Sequence, residues 1–403
     1  MMNSLERVKA ALKFQDPDNV PVFTHFPMTD VAGMPLVPSL KDIKTWPNTD
    51  KHVFPRTMGI PAYKYLMKIL GMKEPEWVKR DPELRNFKWL KKDREEMDEW
   101  GIIWRKRVES GGMGHPGKAS MPDWEDFDDY FERFYPDPSD KKRYKIAKLV
   151  KSLFGRKRYR MMALGSGPSH LASYIRGFNN YLVDHAKNPH KLKKLLGLIT
   201  DNIIQSMQYS VKIGLQPHGF MIADDLGEQN NPFFSPRTFK KFYKDVYKTL
   251  FDEAHNLGCE FHLHSCGKVD PLLPSLIEWG LDAIEFDSPR MNGYKDLHPY
   301  RGKIFFWACV NIQSIYSKGT PEEVEREVWH MIRNLGTKHG GYGAYFYGSP
   351  RVIHVSKENI KAFKHGLKKY GDYGKIPEEW WESPVSNKWE ELYVPPLPSD
   401  ELG

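Results

Sequence analysis

Three side chains of types that bind transition metals lie at the ends of short apolar runs. The run CEFHLHSCG places His264 and Cys266 two residues apart, and the run KIFFWACV ends at Cys309. Side chains two residues apart on an extended strand share a face, so the imidazole and the thiol can bind one ion. Two thiolates, one imidazole and an open fourth position are typical of a catalytic zinc site. The alternative is a chance His-x-Cys pair with Cys309 as a buried apolar thiol.

Carboxylates follow another apolar run. The run HGFMIADDLGEQ ends with Asp224, Asp225 and Glu228. These acids either face the same site as the histidine and the thiol or cap the following helix, and the residues alone leave both roles open. His262 lies two residues deeper than the histidine of the site, which favours a core position, and Cys259 at the start of the same strand is also interpreted as core.

The elements that position these residues alternate regularly from about residue 159. Short apolar runs recur, and helical segments separate them, opening at Asn188-Pro189, Ser235-Pro236 and Thr320-Pro321. Strands buried on both faces that alternate with helices predict a parallel α/β architecture. Because no G-x-G-x-x-G motif follows the early strands, we predict a (β/α)8 TIM barrel, in which the chemistry lies at the carboxyl ends of the strands.

The first part of the chain is less regular. Residues 1–158 are predicted to form an irregular N-terminal extension that contains the first barrel strand within PDNVPVF, and alternating residues around Trp100–Arg107 predict a small hairpin. Residues 159–403 are predicted to form the main part of the barrel and a C-terminal tail. We expect the whole to be one structural domain.

Composition excludes several classes of protein. The 403 residues carry a net charge of +8, but lysines alternate with acids along helix faces and no nucleic-acid-binding motif occurs. No run of about 18 apolar residues occurs, so no membrane association is expected. The first residues, MMNSLERVKAALKFQ, predict an amphipathic helix and not a signal peptide. Three cysteines in so long a chain fit a reducing compartment, so a cytoplasmic location is expected.

Several longer segments carry a family resemblance. They are ERVKAALKFQDPDNVPVF, GPSHLASYIRGFNNYLVDHAKNP, IADDLGEQNNPFFSPRTFKKFY, LGCEFHLHSCGKVDPLLPSLIEWGLDAI, VNIQSIYSKGTPEEVEREV and GGYGAYFYGSPRVIHVSKENI. Together they resemble the uroporphyrinogen decarboxylase superfamily. The decarboxylase branch carries arginines soon after the first strand, where this chain reads THFPMTDVAGM. A multiply carboxylated tetrapyrrole would lack its counter-charges here, so decarboxylation is disfavoured.

The corrinoid-dependent methyltransferase branch matches better. It carries H-x-C-G at the end of a barrel strand, as in His264-Ser265-Cys266-Gly267, together with a third thiolate elsewhere. In the thiol-alkylating members that cysteine lies close to the position of Ser349, whereas this chain offers Cys309. The resemblance therefore implies a zinc site formed by His264, Cys266 and Cys309, in the branch that removes methyl groups from methoxylated compounds.

The function expected from this resemblance is O-demethylation of a small methoxylated aromatic compound. The methyl group would pass to the cobalamin of a separate corrinoid protein, and Asp225 would bind a ring hydroxyl or orient a zinc ligand. The alternatives are methyl transfer from a methylcorrinoid to a thiol, with Lys268 or Arg351 as an anchor for a sulfonate, and a non-catalytic barrel. The sequence leaves the oligomeric state open, with a homodimer as one option.

Overall fold

The apolar runs of the sequence form short strands. The computed structural model describes residues 1–25, 27–37, 53–55, 93–108 and 114–382. The described strands are β1 (Val22–Phe23), β2 (Val31–Pro35), β3 (Val53–Pro55), β4 (Arg94–Met97), β5 (Ile103–Lys106), β6 (His115–Pro116), β7 (Tyr159–Ser166), β8 (Gly219–Ala223), β9 (Glu260–His264), β10 (Ala283–Phe286), β11 (Phe305–Ala308) and β12 (Tyr342–Tyr345).

Helices separate the later strands. They are α1 (Ser4–Leu12), α2 (Phe127–Phe134), α3 (Lys145–Phe154), α4 (Pro168–Arg176), α5 (Phe178–Lys187), α6 (Pro189–Lys212), α7 (Pro236–Asn256), α8 (Leu273–Glu278), α9 (Pro289–Asn292), α10 (Tyr294–Leu297), α11 (Ile315–Lys318), α12 (Pro321–Leu335) and α13 (Lys357–Tyr370). Among the residues that the structure describes, no helix is both long and apolar enough to cross a membrane.

Eight strands form one sheet in the order β1-β12-β11-β10-β9-β8-β7-β2. The pairings from β7 through β12 and on to β1 are parallel. The two edge strands approach each other, since the Asp30 amide donates a hydrogen bond of 3.0 Å to the Val22 carbonyl. The Val22 amide in turn donates one of 2.8 Å to the Asp30 carboxylate. The sheet is therefore a nearly closed barrel, and the predicted (β/α)8 fold is confirmed.

The helices between the barrel strands begin where the sequence predicts. In α7, the Ser235 hydroxyl caps the helix by accepting from the Thr238 amide, and Pro236 occupies the first turn. In α12, Thr320 and Glu323 form a capping box, in which each side chain accepts from the other's backbone amide. Such caps satisfy amide groups that have no partner inside the helix, and each is worth about 1 kcal/mol.

The chain divides into two compact units. One consists of residues 1–34, 147–166 and 210–403, and the other of residues 35–146 and 167–209. The second unit contains a four-stranded sheet in the order β3-β4-β5-β6, in which β4 and β5 pair antiparallel as the predicted hairpin. These units are defined by contacts within the chain. The predicted division into residues 1–158 and 159–403 refers to segments of the sequence, and it stays a prediction. The C-terminal tail beyond residue 382 lies outside the described residues.

The strand register arranges the interior of the barrel in layers. His264 pairs with Glu285, and Glu285 pairs with Trp307. Because side chains alternate between the two faces of a strand, these three share the interior face. The residues two positions further along each strand form the next interior layer, at the carboxyl ends of the strands. We call it the mouth layer. This mouth layer contains Cys266, Asp287, Cys309, Tyr345 and Phe23.

Candidate metal centre

His264 is held by a carboxylate from the neighbouring strand. Its Nδ1 lies within hydrogen-bonding distance of the Glu285 carboxylate, which is fully buried. With the Nδ1 hydrogen donated to Glu285, the Nε2 atom is directed towards other ligand-type atoms. A carboxylate behind a metal-binding histidine fixes the orientation of the ring in this way in many metal sites.

Cys266 and Asp225 lie around this Nε2 atom. The Cys266 Sγ and the Asp225 Oδ1 are each 3.5 Å from it. The same Asp225 oxygen accepts a hydrogen bond of 2.9 Å from the Cys266 backbone amide. The ligand-type atoms of these three residues all lie within 4.8 Å of one another, as one metal ion requires. The structure therefore brings together three of the four residues that the sequence predicted for the site.

A close backbone contact supports the loop that carries Cys266. Gly267 has a φ of +90°, and a Cβ atom built there would lie 2.2 Å from the carbonyl oxygen of Gly227. Glycine is the residue that tolerates both this dihedral angle and this approach. The loop after β9 is thus packed against the loop that follows Asp225, which explains how two distant segments present their ligands together.

Two further carboxylates belong to the same site. His264, Glu285 and Asp287 form a second group whose ligand-type atoms lie within 4.8 Å of one another. One oxygen of each acid, Oε1 of Glu285 and Oδ1 of Asp287, is buried without a hydrogen-bond partner in the described part of the chain. Neither acid was predicted from the sequence as a site residue. The available signal was the pattern Glu-x-Asp at the end of an apolar run, which repeats the spacing of His-x-Cys one strand earlier.

Burial and charge shift the pKa values of these groups. Burial alone would lower the pKa of His264, but the Glu285 charge and the hydrogen bonds that the imidazole makes to Asp225 and Cys266 raise it well above its usual value. Burial raises the pKa of the Cys266 thiol to about 12, although the hydrogen bond from His264 opposes this shift. Burial also raises the pKa of Asp287. Carboxylates and a thiol with raised pKa values need a compensating positive charge in order to ionise.

The donor set fits a zinc ion. It offers an imidazole nitrogen, a sulfur and carboxylate oxygens, which are the atoms that bind zinc in proteins. A bound cation would compensate the buried carboxylate oxygens without partners and the concentration of acids around one imidazole. His264, Cys266 and Asp225 would hold the ion, and Glu285 would orient the imidazole.

Cys309 is the third residue of the ligand set predicted from the sequence, and that ligand role stays a prediction. It is fully buried after β11, and its amide donates a hydrogen bond of 3.1 Å to the Phe286 carbonyl. It lies in the mouth layer, and burial together with the Asp287 charge raises the pKa of its thiol. Among the described residues, neither group of metal-binding side chains includes it.

The remaining candidates occupy structural positions. The Asp224 carboxylate accepts a hydrogen bond of 2.7 Å from the Tyr247 hydroxyl of α7. His262 is fully buried, with the Tyr159 hydroxyl 2.8 Å from its Nε2, and is the core histidine that the sequence predicted. Cys259 is buried too, and its thiol donates to the Pro217 carbonyl at 3.3 Å.

A small cavity adjoins the site. Its volume is about 70 Å³, and Cys266 and Asp287 contribute to its wall together with Phe286, Met291 and Ile312. Ser265, Ser288 and Gln313 add polar groups to the same wall. Sites for small organic molecules combine apolar side chains with a few polar groups in this way. The space holds a handful of water molecules and fits a small substrate better than a tetrapyrrole.

The known proteins that resemble this chain include two from Methanosarcina mazei. A methylated-thiol–coenzyme M methyltransferase of Methanosarcina mazei is 23% identical over 217 residues, which cover 53% of this chain and 55% of that protein. The chain thus matches about half the length of this relative. A solved structure of a methyltransferase from Methanosarcina mazei superposes with a TM-score of 0.56 at 15% identity and covers 92% of this chain and 99% of that one. At this identity the superposition shows a shared fold.

The family assignment comes from a longer match. The sequence profile described as uroporphyrinogen decarboxylase (URO-D) matches residues 119–370, which is more than half of the chain. The matched region includes strands β7 to β12 and every residue of the candidate metal centre. This chain therefore belongs to the uroporphyrinogen decarboxylase family.

Proposed function

We propose that this chain is a zinc-dependent methyltransferase that exchanges a methyl group with the corrinoid of a separate protein. The observation that carries the proposal is the arrangement of His264, Cys266 and Asp225 at the carboxyl ends of barrel strands, with Glu285 behind the imidazole. This edge of a (β/α)8 barrel is where catalytic groups are found. The methyltransferase relative and the absence of arginines from THFPMTDVAGM favour methyl transfer over decarboxylation within the family.

The ligand set that the geometry favours differs from the one expected from the sequence. Asp225 lies 3.5 Å from the His264 Nε2 and takes the place of the third ligand. Cys309 stays the alternative third ligand, because it lies in the mouth layer close to Asp287. In either set, three protein ligands from two segments of the chain leave room for a substrate atom, as in catalytic zinc sites.

The proposed reaction breaks one bond to the methyl carbon and forms another. The bond between the methyl carbon and an oxygen or sulfur breaks, and its electron pair stays on that heteroatom, which then takes up a proton. In this direction the methyl group ends on the cob(I)alamin of the partner protein. In transfer from a methylcorrinoid to a thiol, the thiol loses its proton, the sulfur–carbon bond forms, and the electron pair of the broken cobalt–carbon bond stays on cobalt as cob(I)alamin. A zinc ion, when bound, would act as a Lewis acid for the negative charge that develops on the heteroatom. Glu285 holds the imidazole of His264 in place. The Asp225 carboxylate holds the loop of Cys266 by accepting a hydrogen bond from the Cys266 backbone amide.

The first candidate donor is a small methoxylated aromatic compound, as expected from the sequence. Phe286, Met291 and Ile312 give the cavity an apolar wall that suits a ring. In this reaction the product is a phenol, and Asp287 on the same wall could accept a hydrogen bond from a ring hydroxyl.

The second candidate is methyl transfer between the corrinoid and a thiol. The activity for which the relative from Methanosarcina mazei is named supports it, and so does the small volume of the cavity. A thiol that carries a sulfonate needs a cation nearby. Lys268 is a poor anchor, because its ammonium group already pairs with Asp270 at 2.7 Å and with Asp296 at 3.5 Å.

A comparison of donors tests the proposal. The zinc-loaded protein is incubated anaerobically with cob(I)alamin and either 2-methoxyphenol or a methyl thioether, and the absorbance change to methylcobalamin is followed. A third reaction starts from methylcobalamin and coenzyme M. Phenol release with methylcobalamin formation supports O-demethylation, and turnover in the other reactions supports thiol chemistry. Absence of transfer in all three, with the native corrinoid protein of the same organism also supplied, would contradict the proposal.

A further inference from the structure

We propose that the Tyr345 hydroxyl, held in place by His25, donates a hydrogen bond to the heteroatom that loses the methyl group. Tyr345 is thereby assigned as a catalytic residue and His25 as a positioning residue. This inference rests on the proposed methyl transfer and identifies a residue pair that acts on the leaving group.

The strand register places Tyr345 in the mouth layer. Tyr345 pairs with Phe23 of β1, and continuation of the β11–β12 register by one residue sets Tyr345 level with Cys309. The β10–β11 register sets Cys309 level with Asp287 in the same way. The phenol ring therefore belongs to the same interior layer as Cys266 and Asp287, at the carboxyl ends of the strands.

The alternation of side chains along β12 indicates that the Tyr345 side chain points into the barrel. The following residue, Phe346, stacks on Phe363 of α13 at a centroid distance of 4.1 Å, so it points away from the barrel interior. Tyr345 consequently points inward, where its ring packs edge-on against Phe23 at 5.4 Å. Burial and the nearby charges of Glu285 and Asp287 raise the pKa of the Tyr345 hydroxyl.

His25 holds the hydroxyl of Tyr345. The His25 Nε2 lies 3.0 Å from the Tyr345 hydroxyl oxygen, and the two rings are nearly perpendicular. Gly348 leaves room for the imidazole, because a Cβ atom built there would lie 2.8 Å from the His25 Cδ2. In the tautomer with hydrogen on Nε2, His25 donates to the phenol oxygen, and the phenol hydrogen is free to be donated to a substrate.

A hydrogen bond at this position stabilises the leaving group. As the methyl–heteroatom bond breaks, negative charge develops on oxygen or sulfur, and a preorganised hydroxyl donor lowers the energy of that charge more than it stabilises the neutral substrate. The benefit is largest for poor leaving groups, which carry the most charge. A sulfonium donor releases a neutral thioether, so it gains nothing from the donor.

The test compares Tyr345→Phe with a matched control, Tyr342→Phe. Tyr342 lies on the same strand, but its hydroxyl points to the Met331 sulfur at 3.8 Å. Cob(I)alamin methylation is measured with a series of methyl aryl ethers and methyl aryl thioethers of differing leaving-group pKa, and with trimethylsulfonium. We expect Tyr345→Phe to lose about 100-fold with the poorest leaving groups and less than about 3-fold with trimethylsulfonium.

A binding measurement gives a readout that does not depend on turnover. The leaving-group analogue 4-nitrophenolate is titrated into the zinc-loaded proteins and followed by its absorbance. Loss of one hydrogen bond to a charged oxygen should weaken binding about 10-fold in Tyr345→Phe and leave Tyr342→Phe unchanged. His25→Ala should show a smaller loss than Tyr345→Phe, and His25→Gln should restore part of it, because the glutamine amide can donate to the phenol oxygen.

Two results would overturn the inference. One is an equal loss of Tyr345→Phe activity across all donors, including trimethylsulfonium, which indicates a merely structural role. The other is unchanged 4-nitrophenolate binding in Tyr345→Phe. Failure of the wild-type protein to methylate cob(I)alamin from any donor would instead contradict the proposed function itself, and the inference would fall with it.

Discussion

The hydrogen bond between His264 and Glu285 determines which atoms can bind a metal. Because the Nδ1 hydrogen is donated to Glu285, the Nε2 atom faces Cys266 and Asp225, both at 3.5 Å. Separations of this size between donor atoms are close to the edge length of a zinc coordination polyhedron, so an ion requires little rearrangement of these side chains.

At the residue scale, substitution of the third ligand distinguishes the two proposed ligand sets. We expect Asp225→Asn to lose stoichiometric zinc, because the 3.5 Å contact with His264 belongs to the candidate site. Cys309→Ser should retain zinc, since Cys309 is not in either group of ligand-type atoms among the described residues. Zinc content after dialysis is measured by mass spectrometry. The opposite pattern, with zinc lost only in Cys309→Ser, would establish the set predicted from the sequence.

Zinc binding should release protons. Without a metal, the pKa of Cys266 is raised to about 12 and that of His264 is raised well above its usual value, so both groups are protonated near pH 7. A metal ion binds the deprotonated forms, so the affinity for zinc should rise with pH by up to about two orders of magnitude per pH unit. Calorimetric titration in buffers of different ionisation enthalpy counts the released protons. A count near zero would contradict the assigned ligands.

At the element scale, the loop after β9 depends on a glycine contact. Gly267→Ala places a Cβ atom 2.2 Å from the Gly227 carbonyl oxygen and forces the two ligand-bearing loops apart. We expect a loss of stability of about 2–4 kcal/mol and weaker zinc binding. The matched control is Gly258→Ala, at a φ of +73° with open space around its Cβ position. This variant should lose roughly 1–2 kcal/mol from backbone strain alone and keep its zinc.

The comparison is made by urea unfolding and by zinc titration of both variants. Equal losses of stability, or full zinc affinity in Gly267→Ala, would show that the contact between the two loops does not position the ligands. The distinction is meaningful because both positions share the left-handed backbone conformation and differ in what surrounds the added methyl group.

Element positions were largely predictable from the sequence, because they depend on local patterns. The caps at Ser235 and Thr320 and the periodic apolar residues that follow them fix α7 and α12. The two-residue period of strands likewise predicted that His264 and Cys266 lie on one face at the end of β9. Asp225 was recognised as an acid at a strand end, but its distance to His264 depends on the loop contact between Gly227 and Gly267, which no local pattern reveals.

At the scale of the whole molecule, the alternation of strands and helices predicted the barrel. It did not predict which side chains share an interior layer. The mouth layer joins residues from five strands that are up to about 320 positions apart in the chain, such as Phe23 and Tyr345. Glu285 and Asp287 were missed for this reason. A charged residue inside an apolar run shows its role only when the register reveals the imidazole and the thiol beside it.

The molecule also differs from a simple barrel in its organisation. Residues 35–146 and 167–209 form a second compact unit, with its own four-stranded sheet. The candidate metal centre, the cavity and the pair of His25 and Tyr345 all belong to the unit that contains the barrel. The proposed chemistry can therefore be attributed to residues of that unit.

Methyl transfer to a corrinoid is proposed to require a zinc ion bound at His264 and Cys266. The most direct measurement follows cob(I)alamin absorbance with metal-free protein, zinc-reconstituted protein, Cys266→Ser and the matched control Cys259→Ser, each supplied with the donors described above. We predict methylcobalamin formation with zinc-reconstituted wild type and Cys259→Ser, and a loss of at least about 100-fold in Cys266→Ser and in metal-free protein. Equal rates with and without zinc, or full activity in Cys266→Ser, would contradict the account.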